Sequence, residues 1–314
     1  MRHEGETVSV AVVGSSERGR RTSEWPTVLL LVAFFAVLGT VFAFHAHIPW
    51  PVQVLLLTYL GGLWMALGHE LLHGHPTRWR WLNSSIGSIP LSLWIPFFSY
   101  KWSHIRHHRC DLTDPVADPE SGYVSPAQWQ RYGSVRRTVL VVVRTAAGRL
   151  TVGVPRGMVL FTVNEVRSLR REPRLLLAWA AHLALAVPLA WWLFVVVGVS
   201  PWTYVFGFVL GGSACTQLRS FVEHRAVAEG TRSAVVKAGP VMSLLYMNLN
   251  LHHTHHADPD LAWYRIPQRH RELGSDAIAA AGAGLYEGGY LQVLRMYFWK
   301  PFGEPVHPLT GTVD

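Results

Sequence analysis

Long apolar stretches alternate along this chain with polar stretches that are rich in histidine. Residues 27–44 and 52–68 are two runs without formal charge joined by a short turn, and residues 175–199 and 202–218 form a second such pair. Each run approaches the ~20 residues that a helix needs to cross a bilayer. The pattern predicts two transmembrane helical hairpins, and therefore four spans in an all-α integral membrane protein.

The remaining segments divide the chain further. Residues 86–98 are apolar but short and contain Pro90 and Pro96, which favours a re-entrant or interfacial segment. Residues 138–165 mix valines with arginines, a pattern typical of an amphipathic helix lying in the membrane interface. A helix rich in Gly and Ala is predicted near 276–290. The expected organisation is a disordered cytosolic tail over 1–24, a catalytic membrane domain over 25–270 and a cytosolic C-terminal segment over 271–314.

The charge distribution predicts the orientation. Only 15% of the 314 residues are charged, whereas soluble proteins average about 25%. The two predicted outer turns contain no lysine or arginine, and the arginine-rich stretches all lie on the other side. The positive-inside rule then places both termini in the cytosol and the protein in the cell (inner or plasma) membrane. Orientation thus explains the net charge of +8 more simply than nucleic-acid binding does.

Histidines recur in three boxes and one isolated position. The first box is HExxH, and the second and third are both HxxHH. On a helix, residues at i, i+3 and i+4 share one face, so each box can direct its imidazoles to a common site. All the boxes fall on the cytosolic side, where a helical cap would hold them. The candidate metal ligands are His69, His73, His104, His107, His108, His224, His252, His255 and His256.

Nine imidazoles exceed what one tetrahedral zinc can use and suit two ions that keep open positions. A helical register using His253 in place of His252 stays open. HExxH is also the zinc-protease signature, with Glu70 as general base, but a protease needs only one further ligand and leaves the other boxes unexplained. A metal shuttle is the non-enzymatic alternative.

Polar neighbours of the boxes are candidates for orienting the ligands. Asp114 and Asp258 could accept the second ring N–H of ligating histidines, or could form turns before the prolines that follow them. Asn248 precedes His252 by four residues and could reach the metals or cap the helix. His75 lies off the face of the first box, which predicts a capping or surface role.

The series HxxxH, HxxHH, HxxHH with its hydrophobic hairpins resembles the membrane fatty-acid desaturase and hydroxylase superfamily, over about residues 60 to 267. The resemblance implies a non-haem di-iron centre at the cytosolic face, with the eight box histidines as ligands and His224 as the extra histidine after the last hairpin. Some members carry an asparagine four residues before that histidine, as a ligand acting through water; here the position is Ser220. Residues 255–267 also look like the tails of carotenoid ketolases.

The resemblance implies an O2-dependent enzyme that desaturates or hydroxylates a lipid acyl chain, with a carotenoid ketolase or hydroxylase as the alternative. The sequence contains no Gly-rich dinucleotide loop and no four-cysteine cluster. We therefore expect electrons to come from a separate ferredoxin- or rubredoxin-type donor and its reductase.

Overall fold

A computed structural model describes residues 23–310 of the chain, which are mostly helical. The helices of the first half are α1 (Trp25–Ala43), α2 (Trp50–Leu72), α3 (Arg80–Gly87), α4 (Phe97–His107), α5 (Pro126–Arg131), α6 (Ser134–Val142), α7 (Ala146–Gly148) and α8 (Val154–Ser168). Those of the second half are α9 (Pro173–Trp191), α10 (Pro201–Tyr204), α11 (Gly212–Arg219), α12 (Pro240–Leu245), α13 (His252–Ala257), α14 (Ile266–Leu273), α15 (Ser275–Ala280) and α16 (Gly289–Tyr297). Three π-helical segments continue neighbouring helices, at Arg149–Gly153, Trp192–Val196 and Val205–Gly211, and two 3-10 turns lie at His45–His47 and Trp263–Arg265.

Two short strands are the extended elements of the described residues. Strand β1 (Val235–Val236) pairs in parallel with β2 (Leu285–Tyr286). Tyr290 and Val293, which follow β2, are buried in the main hydrophobic core together with residues of the membrane helices. The segment after residue 271 is therefore packed onto the rest of the described chain.

Within residues 23–310, three helices are long and apolar enough to cross a membrane: α1, α2, and α9 with its π-helical continuation to Val196. They correspond to the first predicted hairpin and to the first arm of the second. The predicted return arm is helical from Pro201 to Arg219 but does not meet the same apolar criterion. A fourth candidate span arises only if α6 and the helix over 146–168, which are bent by 101°, count as one.

Small residues let α2 and the return helix pack backbone against backbone. A Cβ atom added to Gly61 would collide with the carbonyl oxygen of Phe208, and one added to Gly212 would lie 2.7 Å from Gly61 Cα. Close approach of membrane helices through small residues strengthens their van der Waals packing. This contact fixes the end of α2, which carries the first histidine box.

We expect Gly61→Ala to destabilise the protein, because the added methyl group forces the two helices apart. Overpacking of this kind costs about 1–3 kcal/mol of unfolding free energy. Thermal unfolding in detergent measures the effect, and Gly39→Ala is the matched control because a Cβ there meets nothing within 4 Å. Equal melting temperatures for the two variants would contradict the packing role of Gly61.

Two predicted helices are broken, and the prediction over 138–165 was wrong in treating it as one helix. Helix α6 ends at Val142, and Thr145 starts a new helix by accepting a hydrogen bond from Gly148 N at 3.0 Å. The helix predicted near 276–290 ends at Ala280, and the chain then turns, passes Gly284 with a φ of +130° and enters β2. No helix crosses residues 88–96, where turns separate α3 from α4, in agreement with the short segment predicted there.

The predicted tail over 1–24 lies almost wholly outside the described residues. Its last residue, Glu24, is anchored: its backbone N–H donates to Pro76 O at 3.0 Å, and its carboxylate accepts a hydrogen bond from His75 Nδ1 at 2.8 Å. His75 is 2% exposed, so its predicted surface role was wrong. The start of α1 is thus tied to the loop after the first box.

Candidate metal centre

The three boxes lie at helix ends that meet on one side of the helical bundle. His69 occupies the last turn of α2 and His73 caps it. The second box ends α4, and the third forms most of α13, which starts at His252. His224 follows α11 and forms a bridge with Ser233 that holds the intervening loop. The helix ends therefore deliver histidines that are far apart in sequence to one place.

Ring nitrogens from these elements converge in two groups, in each of which the potential ligand atoms all lie within 4.8 Å of one another. We call them the five-histidine group, consisting of His69, His73, His104, His108 and His255, and the four-histidine group, consisting of His107, His224, His252 and His256. The two groups adjoin, since the rings of His108 and His256 are only 4.4 Å apart between centroids. All nine predicted ligands are brought together.

The contacts within the groups are those of ligands rather than of a hydrogen-bonded chain. His224 Nε2 lies 3.1 Å from His107 Nε2 and 2.9 Å from His252 Nε2. A single proton on His224 Nε2 can form a hydrogen bond to only one of these two nitrogens. In the other pair, two nitrogen lone pairs would face and repel each other unless a cation lay between them. Both ring nitrogens of the buried His69 also have no hydrogen-bond partner among the described residues, which is rare for interior polar atoms. The donor set fits two metal ions.

Carboxylates on the outer side of the rings fix which nitrogen faces inward. His107 Nδ1 donates to Asp118 Oδ1 at 2.8 Å, and His104 Nδ1 donates to Glu120 Oε1 at the same distance. A proton held on Nδ1 leaves the Nε2 lone pair free for a metal. Glu223 Oε1 lies 3.4 Å from His252 Nδ1, without a hydrogen bond between the two atoms.

Burial keeps most of the imidazoles neutral. Removal from water, followed by repulsion from neighbouring histidines, lowers the pKa of His108 to about 3 and that of His224 to about 4. The same causes lower the pKa of His255 and His256. The pKa of His107 is instead raised: burial lowers it, but the hydrogen bond to Asp118 and the negative charges of Glu120, Asp118 and Glu223 together outweigh burial. Neutral imidazole is the form that binds metal.

The residues proposed from sequence to orient the ligands make other contacts. Asp114 accepts hydrogen bonds from the backbone N–H groups of Val116 and Ala117, as expected of a turn residue, and Asp258 pairs with Arg269. The other two predicted residues are also engaged elsewhere: Asn248 donates to Trp263 O at 3.0 Å, and the backbone N–H of Ser220 caps α11.

His253 lies outside both groups, with Nδ1 3.3 Å from Thr231 Oγ1, whereas His252 belongs to the four-histidine group.

Sequence reasoning missed the carboxylates that do contact the rings. Asp118 and Glu120 come ten residues or more after the second box, in a loop with no periodic pattern. Glu223 had a signal, because it immediately precedes His224.

The glutamate of the HExxH string faces away from the histidines. Glu70 Oε1 accepts a hydrogen bond from Trp263 N at 2.9 Å, and Glu70 groups with Glu24 and His75 instead. A zinc protease requires this carboxylate beside the metal-bound water. The geometry therefore disfavours the protease.

The fold and the site define a class of protein: a helical membrane protein with two adjoining groups of histidines, each of which could hold a metal ion. Residues 46–286 match the model of the fatty acid desaturase family, which is most of the chain. The chain belongs to that family.

Similar proteins include both acyl-chain and carotenoid enzymes. A fatty acid conjugase of Calendula officinalis is 40% identical over 67 residues, which are 21% of this chain and 18% of that protein. An acyl-lipid (9+3)-(E)-desaturase of Dimorphotheca sinuata is 39% identical over 88 residues, 25% of this chain and 22% of that protein. The beta-carotene ketolase of Paracoccus sp. (strain PC1) is 27% identical over 271 residues, 80% of this chain and 96% of that protein. The chain thus matches about a fifth of the length of the acyl-lipid relatives and nearly the whole ketolase.

Proposed function

We propose that this protein is an O2-dependent oxidoreductase with two non-haem irons, which desaturates or hydroxylates an unactivated C–H position of a lipid acyl chain. The convergence of nine histidines into adjoining groups of five and four, in a member of the fatty acid desaturase family, carries the proposal. When bound, two irons held by imidazoles and keeping open positions supply the activation of O2 that such an oxidation needs.

The surrounding residues prepare the site for this chemistry. The five-histidine group would hold one iron and the four-histidine group the other. Asp118 and Glu120 keep a proton on the outer nitrogens of His107 and His104, so that the inner nitrogens are available as ligands. Most of the ligand rings are buried, which keeps bulk water away from the oxidising centre.

The proposal extends to the setting of the enzyme. We place it as a multi-pass protein of the cell (inner or plasma) membrane, with both termini and a helical cap carrying the histidines on the cytosolic side, as the arginine distribution supports. A ferredoxin- or rubredoxin-type donor with its reductase would deliver electrons, and the net charge of +8 favours an acidic donor. The substrate is a membrane lipid, and nucleic acid is not a partner.

A carotenoid ketolase or hydroxylase is the second candidate. It is favoured by the length of the similarity to the beta-carotene ketolase, which extends over 96% of that protein, whereas the acyl-lipid matches are short. The two candidates share the metal centre and the oxidant, and they differ in the molecule that reaches it.

The test is expression in a host that contains both unsaturated acyl lipids and β-carotene, with and without a ferredoxin and its reductase. We expect purified protein to contain two irons per chain and the acyl lipids to gain a double bond or a hydroxyl group when the donor is present. Oxidised β-carotene with unchanged acyl lipids would select the second candidate. One zinc per chain, or unchanged lipids and carotene despite two irons and a competent donor, contradicts the proposal.

A further inference from the structure

The end of the described chain packs against the loop that follows the second histidine box. The backbone N–H of His307 donates to Val124 O at 2.9 Å, and the backbone N–H of Val124 donates to Pro305 O at 3.0 Å. Val124 and Val306 form a parallel bridge. We call residues 304–310 the C-terminal strap. Its attachment to the loop leaves the side chain of His307 buried.

The contacts of the His307 ring define the direction of its hydrogen bonds. The backbone N–H of Leu309 donates to His307 Nδ1 at 3.2 Å, so the neutral ring carries its proton on Nε2. His307 Nε2 lies 3.1 Å from Thr113 Oγ1 and donates to it. Both side chains are buried, so water cannot replace this bond easily. The strap therefore contributes a specific donor to Thr113.

Thr113 depends on its hydrogen bonds because its backbone is strained. Its φ is +73°, in the left-handed region that a β-branched residue rarely adopts. Such a conformation persists only where surrounding contacts hold it. The backbone N–H donates to Asp118 Oδ2 at 2.9 Å, the carbonyl accepts from Ser121 Oγ at 2.7 Å, and the hydroxyl accepts from His307. Two of these bonds come from the loop itself, and the third comes from the strap.

The same bonds lead from the strap to the four-histidine group. Asp118 accepts from the Thr113 backbone with Oδ2 and from His107 Nδ1 with Oδ1, the second at 2.8 Å. All the residues of this path are buried. A carboxylate that holds two groups keeps its direction only while both remain in place. Thr113 thus helps to orient the carboxylate that orients His107.

We propose that His307 is a positioning residue of the metal centre, which acts through Thr113 and Asp118 to orient the His107 ring. His307 belongs to neither histidine group. Its effect is on how strongly the four-histidine group binds a metal ion, because a ligating histidine without its carboxylate binds less tightly. This inference rests on the proposed function as far as that group holds a metal ion.

His307→Leu and His307→Gln test the role of the Nε2 donor. Leucine has no donor, whereas a glutamine amide can offer an N–H to Thr113. Thr113→Val removes the same bond from the accepting side. His182→Leu is the matched control: His182 is also buried, its Nε2 lies 3.0 Å from Leu93 O, and it belongs to neither histidine group. The affinity of each full-length variant for Fe2+ is measured in detergent by competition with a chelator.

We expect His307→Leu and Thr113→Val to weaken Fe2+ binding by about 10-fold, the lower end of the cost of losing an orienting partner. His307→Gln and His182→Leu should bind Fe2+ as the wild type does. The double variant His307→Leu/Asp118→Asn should bind no more weakly than Asp118→Asn alone, because the two residues act along one path.

Three results overturn the inference: wild-type affinity in His307→Leu, an equal loss in His182→Leu, or additive losses in the double variant. Should His307→Leu fail to fold, Thr113→Val takes its place in all three comparisons.

The same titrations with Zn2+, together with product analysis, separate the two proposals. Zn2+ binding that His307→Leu weakens and His307→Gln preserves, in a protein that oxidises no lipid, counts against the proposed function and supports the positioning role. Lipid oxidation with equal Fe2+ affinity in wild type and His307→Leu has the opposite meaning. A wild-type protein that binds neither ion contradicts both proposals.

Discussion

His252→Ala is expected to abolish oxidation and to reduce the iron content of the purified protein below two per chain. The His252 ring is 2% exposed and its Nε2 lies 2.9 Å from that of His224, within the four-histidine group. Removing it takes away one of four donors and leaves a cavity where the ligand stood. Loss of a residue that merely orients a ligand costs 10–100-fold in metal affinity or activity, so loss of the ligand itself should cost more than about 100-fold.

His253→Ala is the matched control for this prediction, since it changes the next residue of the same helix. Its ring contacts Thr231 and lies outside both histidine groups. We expect it to retain two irons and wild-type turnover. Iron analysis by mass spectrometry and product analysis measure both variants. The reverse pattern, with His253→Ala inactive and His252→Ala active, would show that the third box uses the other register.

The sequence predicted that the nine histidines would converge, because their spacing reflects local geometry. HxxxH and HxxHH are patterns of one helical face, and a helix keeps that face whatever surrounds it. The choice between His252 and His253 was harder, since both can start a helical turn. The structure separates them through long-range contacts: the backbone N–H of His253 bonds to Ala234 O, and the ring of His252 lies against that of His224.

The carboxylates and the helix breaks could not be predicted in the same way. Asp118 reaches His107 because its loop folds back through hydrogen bonds to its own backbone, and such loops have no periodicity. The bend after Val142 depends on the close approach of Gly148 to the Val142 carbonyl. His75 was misplaced because its partner, Glu24, is 51 residues away. Each of these features is set by tertiary contacts.

Asp118→Asn is expected to weaken iron binding by about 10–100-fold, the usual cost of losing a carboxylate that orients a ligating histidine. The carboxylate is 4% exposed and uses both oxygens. Oδ1 accepts from His107 Nδ1 and from Glu120 N, and Oδ2 accepts from Thr113 N at 2.9 Å. An asparagine has only one oxygen. Either the N–H of His107 Nδ1 or the backbone N–H of Thr113 would therefore face an NH2 group, which cannot accept its hydrogen bond. The neutral amide is also a weaker acceptor for the imidazole proton.

Asp114→Asn supplies the comparison, because it makes the same chemical change in the same loop. Both hydrogen bonds to Asp114 go to Oδ1, which an asparagine oxygen can replace. Iron release to a chelator should therefore be accelerated in Asp118→Asn and unchanged in Asp114→Asn. Thermal unfolding of the metal-free proteins separates metal affinity from folding. If both variants lost the same stability and released iron at the same rate, the role of Asp118 would be to hold the loop together and not to orient His107.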